Sequence, residues 1–255
     1  MGSLWWLIAP QLHRHERASR HLAAAYPAKS AVEIDALTRL MWMHLGRTFA
    51  ESLMVNRIVK AGRIEDASGP LIETMKASDK GIVFVSLHTG NWELVVVPTV
   101  THGITVAGVY QRMKNPQVDN YIALTRRDRY PRGLFAKGAD IGGKLMRIVR
   151  SGGAIAMLAD LRDRNGLLVP FFDRLAPSTT FPALLARSND AFLVAARVIR
   201  TRGVRFRIEA EILDVPHTED RNADIDEATQ QTQRLFEEWV REYPEQWMWA
   251  HRRWE

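Results

Sequence analysis

Short, wholly apolar segments alternating with amphipathic ones predict an α/β fold. The expected form is a three-layer α/β/α single domain with a central mixed sheet, preceded by amphipathic amino-terminal helices. Three observations lead there. GIVFVSL (81–87), ITVAGVY (104–110), AIAMLAD (154–160) and AFLVAARVI (191–199) are too short and too evenly apolar for surface helices, and read as buried strands. Helical patterns with start or stop signals lie between them. No repeat or low-complexity linker interrupts residues 1–255, which are therefore read as one domain, with a helical part over 1–65 and an α/β core over 66–255.

In chain order, residues 31–60 place Leu37, Leu40, Met41, Leu45, Phe49, Leu53 and Val59 mostly three or four apart, which predicts a long helical stretch with a wide apolar face. DASGP (66–70) reads as a turn leading into a short helix. After the strand 81–87, WELVVVPTV (92–100) reads as a helix or an extended segment packed beside it. NPQVDNYIALTRRDRY (115–130) is a helix opened by Asn-Pro, and GGKLMRIVRSGG (142–153) a helix closed by glycine. A helix from Ser178 to Ser188 precedes the strands AFLVAARVI and VRFRIEAEI (204–212), and an amphipathic helix over 224–242 follows.

The composition, 46% hydrophobic and 25% charged, is that of a globular protein. Cysteine is absent, so disulfides, thiolate catalysis and Cys-based metal sites are excluded. A net charge of +6 with a pI near 9.8 points to an acidic partner: phosphate groups, an anionic membrane or an acidic protein. The basic residues occur in short scattered groups without a nucleic-acid motif, so nucleic acid is not an expected partner. LWWLIA (4–9) is far shorter than the ~20 residues that span a bilayer, and its charges follow the apolar patch, unlike a signal peptide. Trp5 and Trp6 could sit at a membrane interface or dock into the protein.

The segment FVSLHTGNWE (84–93) carries the chemistry. A strand ends at His88, Gly90 permits a tight turn, Asn91 caps the next helix and Glu93 lies in its first turn. The strand-turn-helix lets His88 and Glu93 converge within hydrogen-bonding reach at the mouth of a pocket. A carboxylate that fixes one imidazole nitrogen leaves the other free to take a proton from a hydroxyl. The same residues also fit a buried histidine satisfied by backbone and a glutamate favoured by a helix start. No H-E-x-x-H or comparable histidine cluster is present, so metal-assisted hydrolysis is not expected, and proton transfer by such a pair requires no cofactor.

VSLHTGNWE, YQRMKNPQVDNYI (110–122), RSGGAIAMLAD (150–160) with VPFFDRLAPSTTFPALLAR (169–187), and PEQWMWAHRRW (244–254) follow one another in the chain. Together they resemble the late acyltransferases of bacterial lipid A biosynthesis, within the lysophospholipid acyltransferase superfamily, over nearly the whole chain. The resemblance implies transfer of a fatty acyl chain from an acyl carrier protein thioester to a hydroxyl of a lipid acceptor, on the cytoplasmic face of the bacterial inner membrane. It implies His88 as general base and Glu93 as the acid that orients it. It also implies Arg112 as the holder of an anionic group on the acceptor and Asp160 as a site-lining acid that orients a donor such as Arg112. Asn91 and Arg126 are further candidates for substrate contact, Arg126 together with Arg127 towards phosphate or carrier protein; a solvated helix face is the other reading of that arginine pair.

Two features depart from the family pattern. The amino-terminal membrane helix usual there would precede the first residue here, which predicts peripheral attachment. Leu161-Arg162-Asp163 stands where many relatives carry a glutamine soon after the aspartate, which leaves other glycolipid or phospholipid acceptors open. A hydrolase using the same base lacks a G-x-S-x-G elbow, and a noncatalytic membrane module would leave the position of His88 unexplained.

Overall fold

The computed structural model describes residues 2–254 apart from 9, 10, 12 and 139. Four helices come first: α1 (Gly2–Ile8), α2 (His13–Ala25), α3 (Ala31–Ser52) and α4 (Val55–Lys60). They are followed by β1 (Ile64–Asp66), α5 (Gly69–Lys76), β2 (Ile82–Ser86), a 3-10 turn (Trp92–Leu94), α6 (Val97–Thr101) and β3 (Val106–Tyr110). Next are α7 (Pro116–Arg126), a second 3-10 turn (Arg127–Arg129), β4 (Leu134–Ala136), α8 (Gly142–Arg150) and β5 (Ala154–Leu158). The hairpin β6 (Leu167–Phe171) and β7 (Arg174–Ser178) leads to α9 (Phe181–Asn189), β8 (Phe192–Arg202), β9 (Arg205–Leu213), α10 (Arg221–Glu242) and a third 3-10 turn (Pro244–Gln246).

The main sheet runs β1-β9-β8-β2-β5-β3-β4. Among the described residues only β8 and β9 pair antiparallel within it, so the sheet is mixed, as the sequence predicts. Parallel neighbours require crossovers, and the helices between strands supply them. Every residue of β2 is buried. Val83 and Val85 join one apolar cluster with Leu145, Leu193 and Trp247, while Ile82 and Phe84 join another with Ile72, Met75 and Val96. Adjacent residues of a strand point to opposite faces, so apolar layers cover both sides of the sheet.

The helix expected over 31–60 is two helices. Ser30 and Glu33 form a capping box that starts α3, and the chain bends at Leu53 and Met54. The bend brings Val55 and Ile58 of α4 onto Leu94, Val198 and Phe206, a cluster that a straight continuation of α3 would leave uncovered. Segment 92–100, read as helix or strand, is the first 3-10 turn followed by α6. In β2 and β5 the register pairs Ser86 with Leu158, so the residues two beyond each strand, His88 and Asp160, leave the sheet side by side.

Candidate active site

The loop after β2 is tied down from three sides. Gly90 has φ +55°, and a Cβ there would stand 2.1 Å from the Val198 carbonyl oxygen, so both backbone conformation and space require glycine. Thr48 of α3 donates to the Gly90 carbonyl at 2.6 Å. The carboxyl-terminal segment runs alongside: Gly90 N–H donates to the Gln246 carbonyl at 3.1 Å, Met248 N–H to the His88 carbonyl at 3.1 Å, and Thr89 bridges Trp247 in antiparallel fashion.

Beneath the loop lies a buried polar network. Both Arg200 terminal nitrogens donate to Glu51, at 2.6 and 2.7 Å, and the Asn91 amide donates to the same carboxylate at 3.2 Å. Arg200 and Gln246 exchange backbone and amide hydrogen bonds at 2.8 and 3.1 Å. Asn91 also accepts the Glu93 N–H at 3.3 Å, capping the turn as the sequence predicts. Its side chain is fully buried and turned towards α3, away from the cavity wall; the amide serves the loop where substrate contact was expected.

His88 meets Asp160. The ring Nδ1 lies 2.8 Å from Asp160 Oδ1, and the His88 backbone N–H donates to Oδ2 at 2.8 Å. Asp160 is fully buried. Burial alone would raise its proton affinity, but the His88 imidazole and its hydrogen bonds outweigh that and hold the carboxyl well below the usual range. An ionised carboxylate can only accept, so Nδ1 is the ring nitrogen that donates to it, and Nε2 is the one turned to other partners. The Trp92 ring stands edge-on to the imidazole at 5.0 Å and packs it in place.

Glu93 has different partners from those expected. No hydrogen bond joins it to His88; Arg126 grips it in a bidentate ion pair, one arm at 2.9 Å, and Arg129 approaches at 3.4 Å. Burial pushes the Glu93 carboxyl up, and the two guanidinium groups more than reverse this, so it stays ionised. Asp160 likewise orients His88 and has no contact with Arg112. The cause is sheet order. β5 lies beside β2, which delivers a carboxylate to the histidine from another strand, while the turn at 92–94 carries Glu93 towards α7.

His88, Glu93 and Arg126 all line one cavity of about 600 Å³. Its inner wall is apolar, with Phe84, Val96, Ala156 and Leu134, and Lys137 and Arg162 add positive charge. Tyr130, also on the wall, is pushed up to about 12, first by burial and then by the Glu93 charge, so its hydroxyl keeps its proton. Arg112 does not line this space. Its side chain is 71% exposed, 4.0 Å from Asp119, while its neighbours Gln111 and Met113 face the cavity.

Sequence reasoning missed the contribution of Trp247, whose indole N–H donates to Asp160 Oδ2 at 2.9 Å, and that of Arg129. PEQWMWAHRRW was a visible motif, but nothing local in it shows that it folds back under the loop. The arrangement provides an imidazole oriented through one nitrogen at the edge of a cavity with an apolar inner wall and cationic side chains. The family described as bacterial lipid A biosynthesis acyltransferase matches the chain over residues 2–255. No curated protein matches it.

Proposed function

The chain belongs to the bacterial lipid A biosynthesis acyltransferase family, and on that premise we propose that it moves a fatty acyl chain from an acyl carrier protein thioester to a hydroxyl of a lipid A precursor, with His88 as general base. The observation that carries this reading is the His88 ring, held through Nδ1 by Asp160 while Nε2 is left for the cavity.

Nε2 takes the proton of the acceptor hydroxyl as its oxygen attacks the thioester carbonyl. Asp160 stabilises the imidazolium that forms. The tetrahedral intermediate then expels the thiolate, which recovers the proton from His88, leaving an ester and a thiol. The apolar inner wall suits an acyl chain, and Arg126, Lys137 and Arg162 suit anionic groups on acceptor or carrier. Glu93 keeps Arg126 on that wall. The net charge of +6 favours an acidic carrier.

No helix among the described residues is long and apolar enough to cross a membrane. Attachment to the cytoplasmic face of the inner membrane is part of the same reading, through exposed apolar residues of the amino-terminal helices. Met41 and Leu45 belong to the core, and Trp5 stacks on Trp42 and Phe49, so the surface left for lipid includes Trp6, Phe49, Leu53 and Met54. Sedimentation with anionic and neutral vesicles at two salt concentrations tests it. Binding should favour anionic vesicles and weaken, without vanishing, as salt rises. Absence of binding to either vesicle removes this part of the reading.

The chemistry is tested with purified protein, an acyl-carrier thioester and a panel of hydroxylated lipids that includes lipid A precursors. His88→Ala should lower transfer at least ~100-fold with an unchanged circular dichroism spectrum. Near-normal transfer by that variant would remove His88 as the base. Thioester loss without acyl-lipid product would make the enzyme a hydrolase, and preference for another lipid would reassign the acceptor.

A further inference from the structure

We infer that Trp247 is a positioning residue for this reaction: its indole N–H holds the Asp160 carboxylate in the orientation that aims it at His88. The inference rests on the reading of His88 as base and extends it to a residue well over a hundred positions away in sequence.

Asp160 Oδ2 accepts two hydrogen bonds, from the His88 backbone at 2.8 Å and from Trp247 Nε1 at 2.9 Å, while Oδ1 faces the imidazole. With Oδ2 held by two donors, rotation of the carboxylate about its Cβ–Cγ bond is blocked, and Oδ1 has one direction left. The indole itself cannot shift. It is fully buried between Trp249, with ring centroids 4.6 Å apart, and His251, at 4.7 Å, both edge-on. The Met248 N–H to His88 carbonyl bond fixes the backbone of the same segment to the loop. The side chain of Trp247 thus acts on the carboxylate and its flanking backbone on the histidine.

The indole also tempers the carboxylate. A donor to an anion spreads its charge and lowers its basicity. The other charged or titratable groups acting on Asp160 are His88, His251 and Arg253. The charged or titratable groups that share the cavity with His88 are Glu93, paired with Arg126 and Arg129, and Tyr110, Tyr130, Lys137, Arg162 and Asp163.

Trp249 supplies a matched control. It is equally buried, and its indole N–H also donates, to the Pro244 carbonyl at 2.7 Å, but it does not reach Asp160. Trp247→Phe and Trp249→Phe should lose comparable thermal stability. Only Trp247→Phe should lower kcat, by about tenfold, with KM little changed, as when a hydrogen bond that orients a functional group is removed. Its acid limb of kcat against pH should move to higher pH, because a more basic Asp160 holds the imidazolium more tightly. The low-field proton NMR signal of His88 Nδ1–H should shift in Trp247→Phe and stay in place in Trp249→Phe. This readout does not depend on His88 being the base, so it separates failure of the inference from failure of the functional reading.

If Trp247→Phe does not fold, site-specific replacement of Trp247 by benzothienylalanine keeps the bicyclic ring and removes only the N–H. An acid limb that is unmoved or moves to lower pH, with an unshifted Nδ1 proton, would make Trp247 a packing residue and overturn the inference.

Discussion

Asp160→Asn isolates the charge that orients His88 from its shape. The amide keeps the volume, but it no longer stabilises an imidazolium, and its NH2 group can face Nδ1 and force the wrong tautomer. Transfer is expected to fall by about 10²–10⁴-fold, and steady-state kinetics on purified variant would show it. Glu93→Gln, by contrast, leaves His88 and Asp160 joined and loosens the ion pair to Arg126 and Arg129. If Glu93→Gln were as damaging as Asp160→Asn, the division of labour between the two carboxylates would be wrong. The sequence made His88, Glu93 and Asp160 visible as candidates: His88 and Asp160 stand where apolar strands end, and Glu93 lies in the turn that follows His88. It could not show which acid meets the histidine. Glu93 is five residues away along the chain, but Asp160 arrives from a neighbouring strand, and strand order is not written in either segment.

At the scale of elements, the loop between β2 and its 3-10 turn works only because several elements agree on its path. Gly90→Ala is expected to cost at least about 2 kcal/mol, since it combines a disfavoured φ with a clash against the Val198 backbone in β8. Urea unfolding would measure the loss, and activity should fall with it because His88 is two residues away. An unchanged midpoint would mean that β8 gives way freely. Most strands and several helices were legible from apolar runs and end signals, including the Asn115 cap of α7, which accepts from Gln117 and Val118 N–H as Asn-Pro suggests. The break after α3 was not legible. Leu53 and Met54 continue the apolar spacing, and only the cluster that α4 completes with α6, β8 and β9 accounts for the bend. Arg112 was misplaced for a similar reason: its position just past β3 was readable, but Gln111 and Met113 take the cavity side.

For the whole molecule, acid should act in two stages. Burial, with Arg200 and Arg47 nearby, pushes His44 down to about 4; burial also pushes His251 down to about 4 despite the charge of Asp160. Both values lie below the ~6.5 of an unfolded histidine, so between these limits each of the two binds more protons when unfolded and its contribution to stability falls as pH drops. Asp160 and Glu93 are depressed, so their contribution is present above the ordinary carboxylate values near ~4 and is lost only below them. Urea midpoints from pH 7 to 4.5 should therefore decline before Asp160 or Glu93 is protonated, and His44→Gln should flatten part of that decline. A slope unchanged by His44→Gln would remove His44 from the account. The bridge between Thr89 and Trp247 has a further consequence, in time. It joins two parts of the chain that are far apart in sequence, and contacts of that kind close late because the intervening loop must first be ordered. Recovered acyl transfer after dilution from urea is thus a clock for the last step of folding, and should lag the return of helical signal; if the two returned together, the segment would be docking early.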